Sequence, residues 1–204
     1  MRRILGVFMV LAGLAMLFAA YRLNQSNTLE DATAELVVTD VLPQLKEEIP
    51  EKPSPQAVAQ SMIPLDHLEP EDLTMTEKVI DGYRCIGYLS LPRIGRDLPI
   101  LADWDYDLLK KAPCRFTGTL RGNDLVLMAH NYKSHFGRLS EMVIGDQVFF
   151  TDMDGVVTEY EVVAKDVLDP TAVEELTAGH YDLALFTCTY GGQSRVTVYC
   201  DKVG

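Results

Sequence analysis

The hydrophobic pattern begins with an uninterrupted apolar run, ILGVFMVLAGLAMLFAAY, at residues 4–21. Eighteen uncharged residues are just enough to span a bilayer as one helix. Arg2 and Arg3 precede the run, so the positive-inside rule places the N-terminus in the cytoplasm and the following chain outside the cell membrane. We therefore predict an uncleaved signal anchor at residues 1–22. A cleaved signal peptide is the alternative, although the run is long for one and lacks a clear cleavage site.

Residues 23–81 follow a different pattern, without glycine or aromatic residues and with six of the ten prolines. Many of the remaining positions are acidic, so this segment has little apolar surface to bury. The helix-like spacing of Leu36, Leu42 and Leu45 predicts a short helix within residues 28–46. The proline-rich stretch after it is typical of a stiff, extended segment. We predict an acidic spacer that holds a domain away from the membrane. A regulatory segment that packs over an active site is the alternative.

Residues 82–204 contain 14 of the 17 aromatic residues and alternate short apolar runs with turn signals. This pattern is typical of a mostly β domain, a barrel or a sandwich. Short helices are predicted at 106–111, around 136–142 and at 171–177, and a hairpin turn at 152–155. The predicted strands are 85–91, 98–101, 124–130, 146–151, 156–163, 183–190 and 195–202.

Length, charge and cysteine spacing exclude some classes of protein. The 204 residues allow one domain with an appendage. The net charge of −12 is uneven, because residues 1–22 carry +3 and the rest −15. An isoelectric point near 4.7 argues against a nucleic-acid-binding protein. The four cysteines are not arranged as C-x-x-C pairs, which argues against a structural zinc site.

Cys188 is the candidate nucleophile. It ends the apolar run ALFTC and is followed by Thr189 and a glycine pair, the kind of strand end where a side chain leaves the core and faces a cleft. Taken alone, this stretch also fits a buried structural cysteine. Cys85, Cys114 and Cys200 have no catalytic signature, and a Cys85–Cys114 disulfide is left open.

His130 and Arg195 are the candidate partners of Cys188. His130 ends the apolar run DLVLMA, and a neighbouring imidazolium can stabilise a thiolate and protonate a leaving amine. His135 is the reserve candidate. Arg195 follows Cys188 by seven residues across the Gly191–Gly192 turn, so an antiparallel hairpin would bring the two together. A guanidinium there can donate hydrogen bonds to a developing oxyanion.

The ordered set of strand-end His, Thr-Cys and following Arg resembles the sortases, the membrane-anchored cysteine transpeptidases of Gram-positive bacteria. The resemblance covers about residues 84–203 and includes the stretches IGYLSLPRIGRDLPIL, APCRFTGTLRGNDLVLMAHNYKSHFGRL and LALFTCTYGGQSRVTVYCDKV. The family pattern of a hydrophobic run, Thr-Cys and Arg is matched by Leu185, Thr187, Cys188 and Arg195. Ala184 departs from the usual Thr, which affects packing more than chemistry.

The resemblance implies a mostly β, sortase-type barrel with short flanking helices, preceded by an N-terminal transmembrane helix and a linker. It implies that Cys188 is the nucleophile, His130 the general acid and base, and Arg195 the oxyanion and substrate-positioning group. Cys188 would cleave a C-terminal LPxTG-like sorting signal and form a thioacyl-enzyme. An amine of a peptidoglycan precursor or a pilin lysine would then resolve it. The implied partners are surface proteins or pilins, and no cofactor is implied.

The sequence does not assign a sortase class. The region before the cysteine strand, residues 165–182, helps to read the signal in sortases, and an added helix there is a class B feature, but this segment is short. Some sortases bind calcium near this loop. Acidic residues are available for that role, yet their spacing does not require a metal; they are Asp166, Asp169, Glu174 and Glu175.

Two other classes of protein are alternatives. A peptidoglycan cross-linker of the L,D-transpeptidase kind also uses Cys and His on a β-rich fold, but it needs its histidine close before a Ser-x-Gly-Cys turn, which this chain lacks. A non-catalytic, membrane-tethered β-domain, an adhesin or assembly factor, would have Cys188 buried and inert. Thiol reactivity separates that alternative from both enzymes.

Overall fold

A computed structural model of the chain describes residues 2–64, 67–69, 73–178, 180–189 and 192–203. Its four α-helices and nine strands are α1 (Arg2–Glu48), α2 (Pro55–Ser61), β1 (Lys78–Ile80), β2 (Tyr83–Leu91), β3 (Arg96–Leu101), α3 (Tyr106–Leu109), β4 (Cys114–Thr117), β5 (Leu125–Ala129), β6 (Gln147–Asp152), β7 (Val157–Leu168), α4 (Val173–Leu176), β8 (Leu183–Cys188) and β9 (Arg195–Lys202). Two 3-10 turns lie at Pro92–Ile94 and Leu139–Glu141.

Eight strands close into a barrel. The strand order is β1-β2-β3-β4-β5-β8-β9-β7-β6, and the further pairing of β2 with β6 closes β2 through β6 into a cylinder, with β1 added beside β2. The closure requires a glycine at position 87, because a Cβ atom there would lie 2.1 Å from the backbone oxygen of Thr151. The predicted β-barrel with short helices is confirmed.

The predicted strands agree with the structure except at their ends and at two short elements. β1 and β4 were not predicted, because three and four residues are too few to show an alternating pattern. The predicted turn at 152–155 joins β6 and β7, which pair antiparallel. The helix predicted around 136–142 is only the 3-10 turn Leu139–Glu141.

The barrel interior is apolar and fully buried. Alternate residues of each strand point inward, as the two-residue strand period requires. On β5 these are Leu125 and Leu127, on β8 Leu183 and Leu185, and on β9 Val198. The intervening residues of the same three strands face outward, and that outer face carries the candidate site.

Helix α1 packs against the barrel with one apolar stripe. Ala34, Val38, Val41 and Leu45 follow one another at helical spacing and are each at most 5% exposed. Residues 34–45 are therefore part of the folded domain, which differs from the spacer predicted for residues 23–81. The prediction missed them because the stripe is built of small aliphatic side chains.

Two ion pairs add to this contact. Arg96 of β3 bonds both carboxylate oxygens of Glu35, at 3.0 and 3.1 Å. Lys46 reaches Asp97 at 2.6 Å. All four side chains are partly exposed, so these pairs orient the helix more than they stabilise it.

Replacing Leu45 by alanine is expected to lower the free energy of unfolding by about 2–5 kcal/mol, because it leaves a cavity under α1. Leu36→Ala is the matched control, since Leu36 is 71% exposed on the same helix and its loss should cost less than about 0.5 kcal/mol. Urea unfolding of the full chain measures both. Equal effects at the two positions would show that α1 does not pack on the barrel.

The N-terminal part of α1 contains the segment predicted to be a membrane anchor. In the part of the chain that the structure describes, no helix is long and apolar enough to cross a membrane. The side chains of residues 2–8, 10–11, 23–24 and 26 lie outside the described ones. The anchor predicted at residues 1–22 is thus not confirmed.

All four cysteines are free thiols. Leu101 of β3 pairs with Cys85 on one side and with Cys114 on the other, so a whole strand separates the two thiols that sequence left open as a disulfide. Burial raises the pKa of both thiols to about 12. Cys200 lies inside the barrel with a raised pKa for the same reason.

Candidate active site

The site lies where the outward-facing rows of β5 and β8 end. On β5 the outward row is Val126 and Met128, which continues to His130 just beyond the strand. On β8 it is Ala184 and Phe186, which continues to Cys188. The two-residue strand period therefore puts the imidazole and the thiol on the same outer face.

Strand register brings these two ends together. β5 and β8 are parallel neighbours, with Ala129 opposite Thr187, so His130 and Cys188 are the next residues along adjacent strands. The hydroxyl of Thr187 donates a hydrogen bond of 2.8 Å to the carbonyl oxygen of Ala129. This buried bond fixes the ends of the strands relative to each other.

Arg195 completes the arrangement from the other side. β8 and β9 are antiparallel, and Cys188 lies directly opposite Arg195 in their register. Directly opposite residues have Cβ atoms about 4.5–5.5 Å apart. The Arg195 Nη1 donates to the carbonyl oxygens of Gly192 and Ser194, at 3.2 and 3.3 Å, which holds the guanidinium at the hairpin end.

His130 and Cys188 border a common cleft of about 490 Å³. The barrel contributes the loop that follows β5 and the end of β8, including Thr189. The opposite wall comes from α1. Its lining residues there are Asn27, Thr28, Glu30 and Asp31.

Helix α1 is bonded to the loop that follows His130. Asp31 accepts hydrogen bonds from the backbone nitrogen and the hydroxyl of Ser134, at 3.0 and 2.6 Å. Burial would raise the pKa of Asp31, but these bonds outweigh it and hold the pKa below its ordinary value. This part of the predicted spacer thus contributes one wall of the cleft that contains the candidate site.

The surroundings of His130 oppose its charged form. Burial lowers its pKa, and Lys110 adds to the effect, whereas Glu30 of α1 raises it. Burial is the largest of these influences, so the net pKa lies below the ordinary value for histidine. A nearby anion can offset this loss of solvation, and Glu30 of α1, which lines the same cleft, acts in that direction.

His135, the reserve candidate, does not reach the cleft. It is fully buried, and its Nε2 lies 3.2 Å from the carbonyl oxygen of Lys111. Burial lowers its pKa to about 4, so the ring is neutral near pH 7. A neutral ring that bonds a backbone carbonyl has a structural role, and the geometry favours His130 as the partner of Cys188.

An aromatic row leads away from Cys188 along the outer face. The ring centroids of Phe186 and Phe116 are 5.5 Å apart, and those of Phe116 and Trp104 are 5.6 Å apart. Trp104 is 40% exposed, so the row begins at the surface. Sequence reasoning missed this row, because its members come from three separate segments.

Of the acidic residues considered for calcium, Glu175 has its side chain outside the described ones. Asp169 accepts bonds from the backbone nitrogen and hydroxyl of Thr171, at 3.0 and 2.6 Å, and so caps a turn. Across the residues whose placement is described, no three His, Cys, Asp or Glu side chains come together as metal ligands.

Comparison with known proteins identifies the family. The family model described as "Sortase domain" matches residues 89–203, more than half of the chain, including His130, Cys188 and Arg195. The chain belongs to the sortase family. Sortases are cysteine transpeptidases, so this chain is of that enzyme type. A comparison with curated proteins found no match.

Solved structures similar to this sortase are sortase C enzymes of streptococci. Sortase C1 of Streptococcus suis is 30% identical, with a TM-score of 0.53 over 59% of this chain and 73% of that one. Sortase C1 of Streptococcus agalactiae is 23% identical, with a TM-score of 0.56 over 68% and 78%. Sortase C of Streptococcus pneumoniae is 21% identical, with a TM-score of 0.53 over 87% and 88%.

The added helix before the cysteine strand, which is a feature of class B sortases, is short in the structure. The helix before the cysteine strand, α4, has only four residues, Val173–Leu176.

Proposed function

We propose that this sortase cleaves a C-terminal LPxTG-like sorting signal and transfers the new carboxyl end to an amine of the cell wall or of a pilin. The observation that carries the proposal is the placement of His130, Cys188 and Arg195 on one outer face, at the adjacent ends of three paired strands. A nucleophile, a proton carrier and an oxyanion donor are the groups that acyl transfer needs.

In the first transfer, the Cys188 thiolate attacks the backbone carbonyl carbon of the signal. The guanidinium of Arg195, opposite Cys188, donates hydrogen bonds to the oxyanion that forms. The imidazolium of His130 gives its proton to the amide nitrogen, the C–N bond breaks, and the C-terminal fragment leaves as an amine. A thioester on Cys188 and a neutral His130 are left.

In the second transfer, an acceptor amine attacks the thioester carbonyl. Neutral His130 takes a proton from the attacking nitrogen, and the C–S bond breaks as the new amide forms. Cys188 leaves as the thiolate and His130 is again the imidazolium, so the resting pair is restored. Arg195 stabilises the oxyanion that forms in each of the two transfers.

Partly exposed apolar side chains near Cys188 support a peptide with aliphatic residues before the scissile bond. Met128, two residues before His130, is partly buried and the ring of Trp104 is 40% exposed, whereas Phe186 and Val126 are at most 6% exposed. Leucine and proline side chains of a sorting signal are complementary to such a surface. The solved structure of Streptococcus pneumoniae sortase C is described as giving insight into pilin substrate specificity, so a pilin peptide is one substrate to test.

The test is a peptide screen with the full chain in a mild detergent. LPxTG-like and NPxTx-like peptides are each incubated with triglycine, with a lysine-containing peptide, or without an amine, and products are weighed by mass spectrometry. We expect cleavage of at least one peptide and an amide product with one of the amines. Absence of cleavage, or cleavage that survives complete alkylation of the thiols, would contradict the proposal.

Replacing Arg195 by alanine is expected to lower kcat/KM by about 10²–10³-fold, the usual cost of losing an oxyanion donor. Arg195→Lys keeps the charge but not the forked donor geometry, so it should recover only part of the activity. Arg93→Ala is the control and should retain wild-type activity, because Arg93 is exposed on the 3-10 turn at Pro92–Ile94 and lies beside Asp146. Full activity in Arg195→Ala would remove this residue from the mechanism.

We also propose, from the sequence pattern alone, that residues 1–22 hold the enzyme in the cell membrane with the barrel outside. A membrane site would raise the local concentration of substrates arriving at the same membrane. Protease accessibility on intact cells tests it: the barrel should be cleaved from outside. Recovery of intact chain from the cytosolic fraction would contradict it.

A further inference from the structure

Tyr132 lies two residues after His130, and its ring is stacked on the imidazole. The ring centroids are 4.6 Å apart, and the two planes differ by only 16°. On another side the same ring meets His135 at 5.4 Å. Tyr132 is 8% exposed, so its ring is a fixed part of the wall and not a mobile surface group.

The hydroxyl of Tyr132 is anchored to helix α1. It donates a hydrogen bond of 2.8 Å to the Glu30 carboxylate. Two residues further along the loop, Ser134 bonds Asp31 of the same helix. The tyrosine is therefore held at both ends, by its stack on His130 and by its bond to Glu30.

A ring held in this way has two effects on a neighbouring imidazole. It restricts rotation of the imidazole, because a turn out of the parallel arrangement would collide with the tyrosine face. It also attracts the cationic form, since the π-face of an aromatic ring carries partial negative charge. The first effect orients the ring in either protonation state, and the second favours the imidazolium that the proposed reaction needs beside Cys188.

We propose that Tyr132 is a positioning residue for His130, holding the imidazole in its plane toward Cys188 and stabilising its protonated form. The inference rests on the proposed function in one respect, that His130 carries the proton. Tyr132 itself touches neither the thiol nor the scissile bond in this arrangement; it acts through His130.

Other charged groups near His130 act on the same equilibrium. Glu30 of α1 favours the imidazolium, whereas Lys110 after α3 disfavours it. His135 lies close enough for the charges of the two rings to interact, but it is neutral near pH 7. In the proposed mechanism, a thiolate on Cys188 would favour the imidazolium from the end of β8. Replacing Cys188 by alanine therefore isolates the effect of Tyr132 on the pKa of His130 from that of the thiol.

The test compares Tyr132→Phe with Tyr132→Leu in the full chain carrying Cys188→Ala. The titration of His130 is followed by NMR of its ring C–H group. Phenylalanine keeps the stacked ring and loses only the bond to Glu30, so the pKa of His130 should stay closer to its wild-type value than in the leucine variant. Leucine keeps apolar volume without an aromatic face, so the pKa should fall by about half a unit. Tyr160→Phe, which removes a buried hydroxyl inside the barrel, is the control and should change nothing.

The same variants with Cys188 intact give an activity readout. Tyr132→Leu should lower kcat/KM about tenfold and move the alkaline limb of its pH profile to lower pH, because the imidazolium is lost sooner. Tyr132→Phe should bring kcat/KM and the alkaline limb of its pH profile back towards their wild-type values. Tyr132→Met serves in place of leucine should that variant fail to fold.

An unchanged pKa of His130 in the leucine and methionine variants would overturn the proposal, as would equal losses of activity in Tyr132→Phe and Tyr132→Leu without a change in the pH profile. The NMR titration needs no substrate. If the wild-type chain cleaves peptide but the pKa of His130 does not change in Tyr132→Leu, the role of Tyr132 is contradicted and the proposed function is not. If the wild-type chain cleaves no peptide, the proposed function is contradicted.

Discussion

Iodoacetamide is expected to modify one of the four thiols of the folded chain, Cys188, at least about 10²-fold faster than the others. Cys188 is partly exposed at the end of β8, whereas Cys85, Cys114 and Cys200 are fully buried and have raised pKa values. Their thiolate fractions near neutral pH are accordingly very small. Peptide mapping after short exposure measures the label at each cysteine.

Cys188→Ala is the control for this labelling. It should lose the fast reaction completely and should also lose detectable peptide cleavage, while the three buried thiols still react after unfolding in urea. Fast labelling of a different cysteine, or protection of Cys188 in the native chain, would favour the inert β-domain that the sequence left as an alternative.

His130→Gln is expected to lower kcat/KM by about 10²–10⁴-fold, because the leaving amine then lacks its proton donor. Cys188 should still be alkylated in this variant, but only at higher pH, where the thiol ionises without the help of an imidazolium. Peptide cleavage and alkylation, each measured across pH, separate loss of the acid from loss of the nucleophile.

His135→Gln is the matched variant for that experiment. Its amide can keep a bond to the carbonyl oxygen of Lys111, and the ring that it replaces lies outside the cleft. We expect a loss of stability of about 1–3 kcal/mol with less than a tenfold change in kcat/KM. A larger loss of kcat/KM in His135→Gln than in His130→Gln would assign the proton transfer to His135.

The barrel and the candidate site were accessible to sequence reasoning because both depend on local patterns. The strands of the barrel alternate inward and outward residues, and His130, Cys188 and Arg195 lie next to clear strand ends. Their pairing could be inferred for Cys188 and Arg195, which a short hairpin joins. The parallel pairing of β5 with β8, which places His130, spans 58 residues and was not predicted; only the role of His130 came from the family resemblance.

The role of residues 23–48 was not accessible in the same way. The predicted helix was there, but Leu36, which contributed to its apparent apolar face, is 71% exposed, and the buried stripe is the one that contains Val38 and Val41. A helix without aromatic residues signals no packing partner by itself. Its acidic residues looked like solvated charges, yet Glu30 and Asp31 bond the loop beside His130. Such contacts depend on tertiary structure, which no local pattern contains.

The proposed mechanism depends most on Cys188 forming a thioester with the sorting signal. The direct measurement is tandem mass spectrometry of the full chain, quenched in acid during cleavage of the best peptide without an added amine. The mechanism predicts that the peptide containing Cys188 carries the mass of the N-terminal substrate fragment, and that a primary amine removes this mass. Continued cleavage with no acyl mass on Cys188, or with the acyl group on another residue, would contradict it.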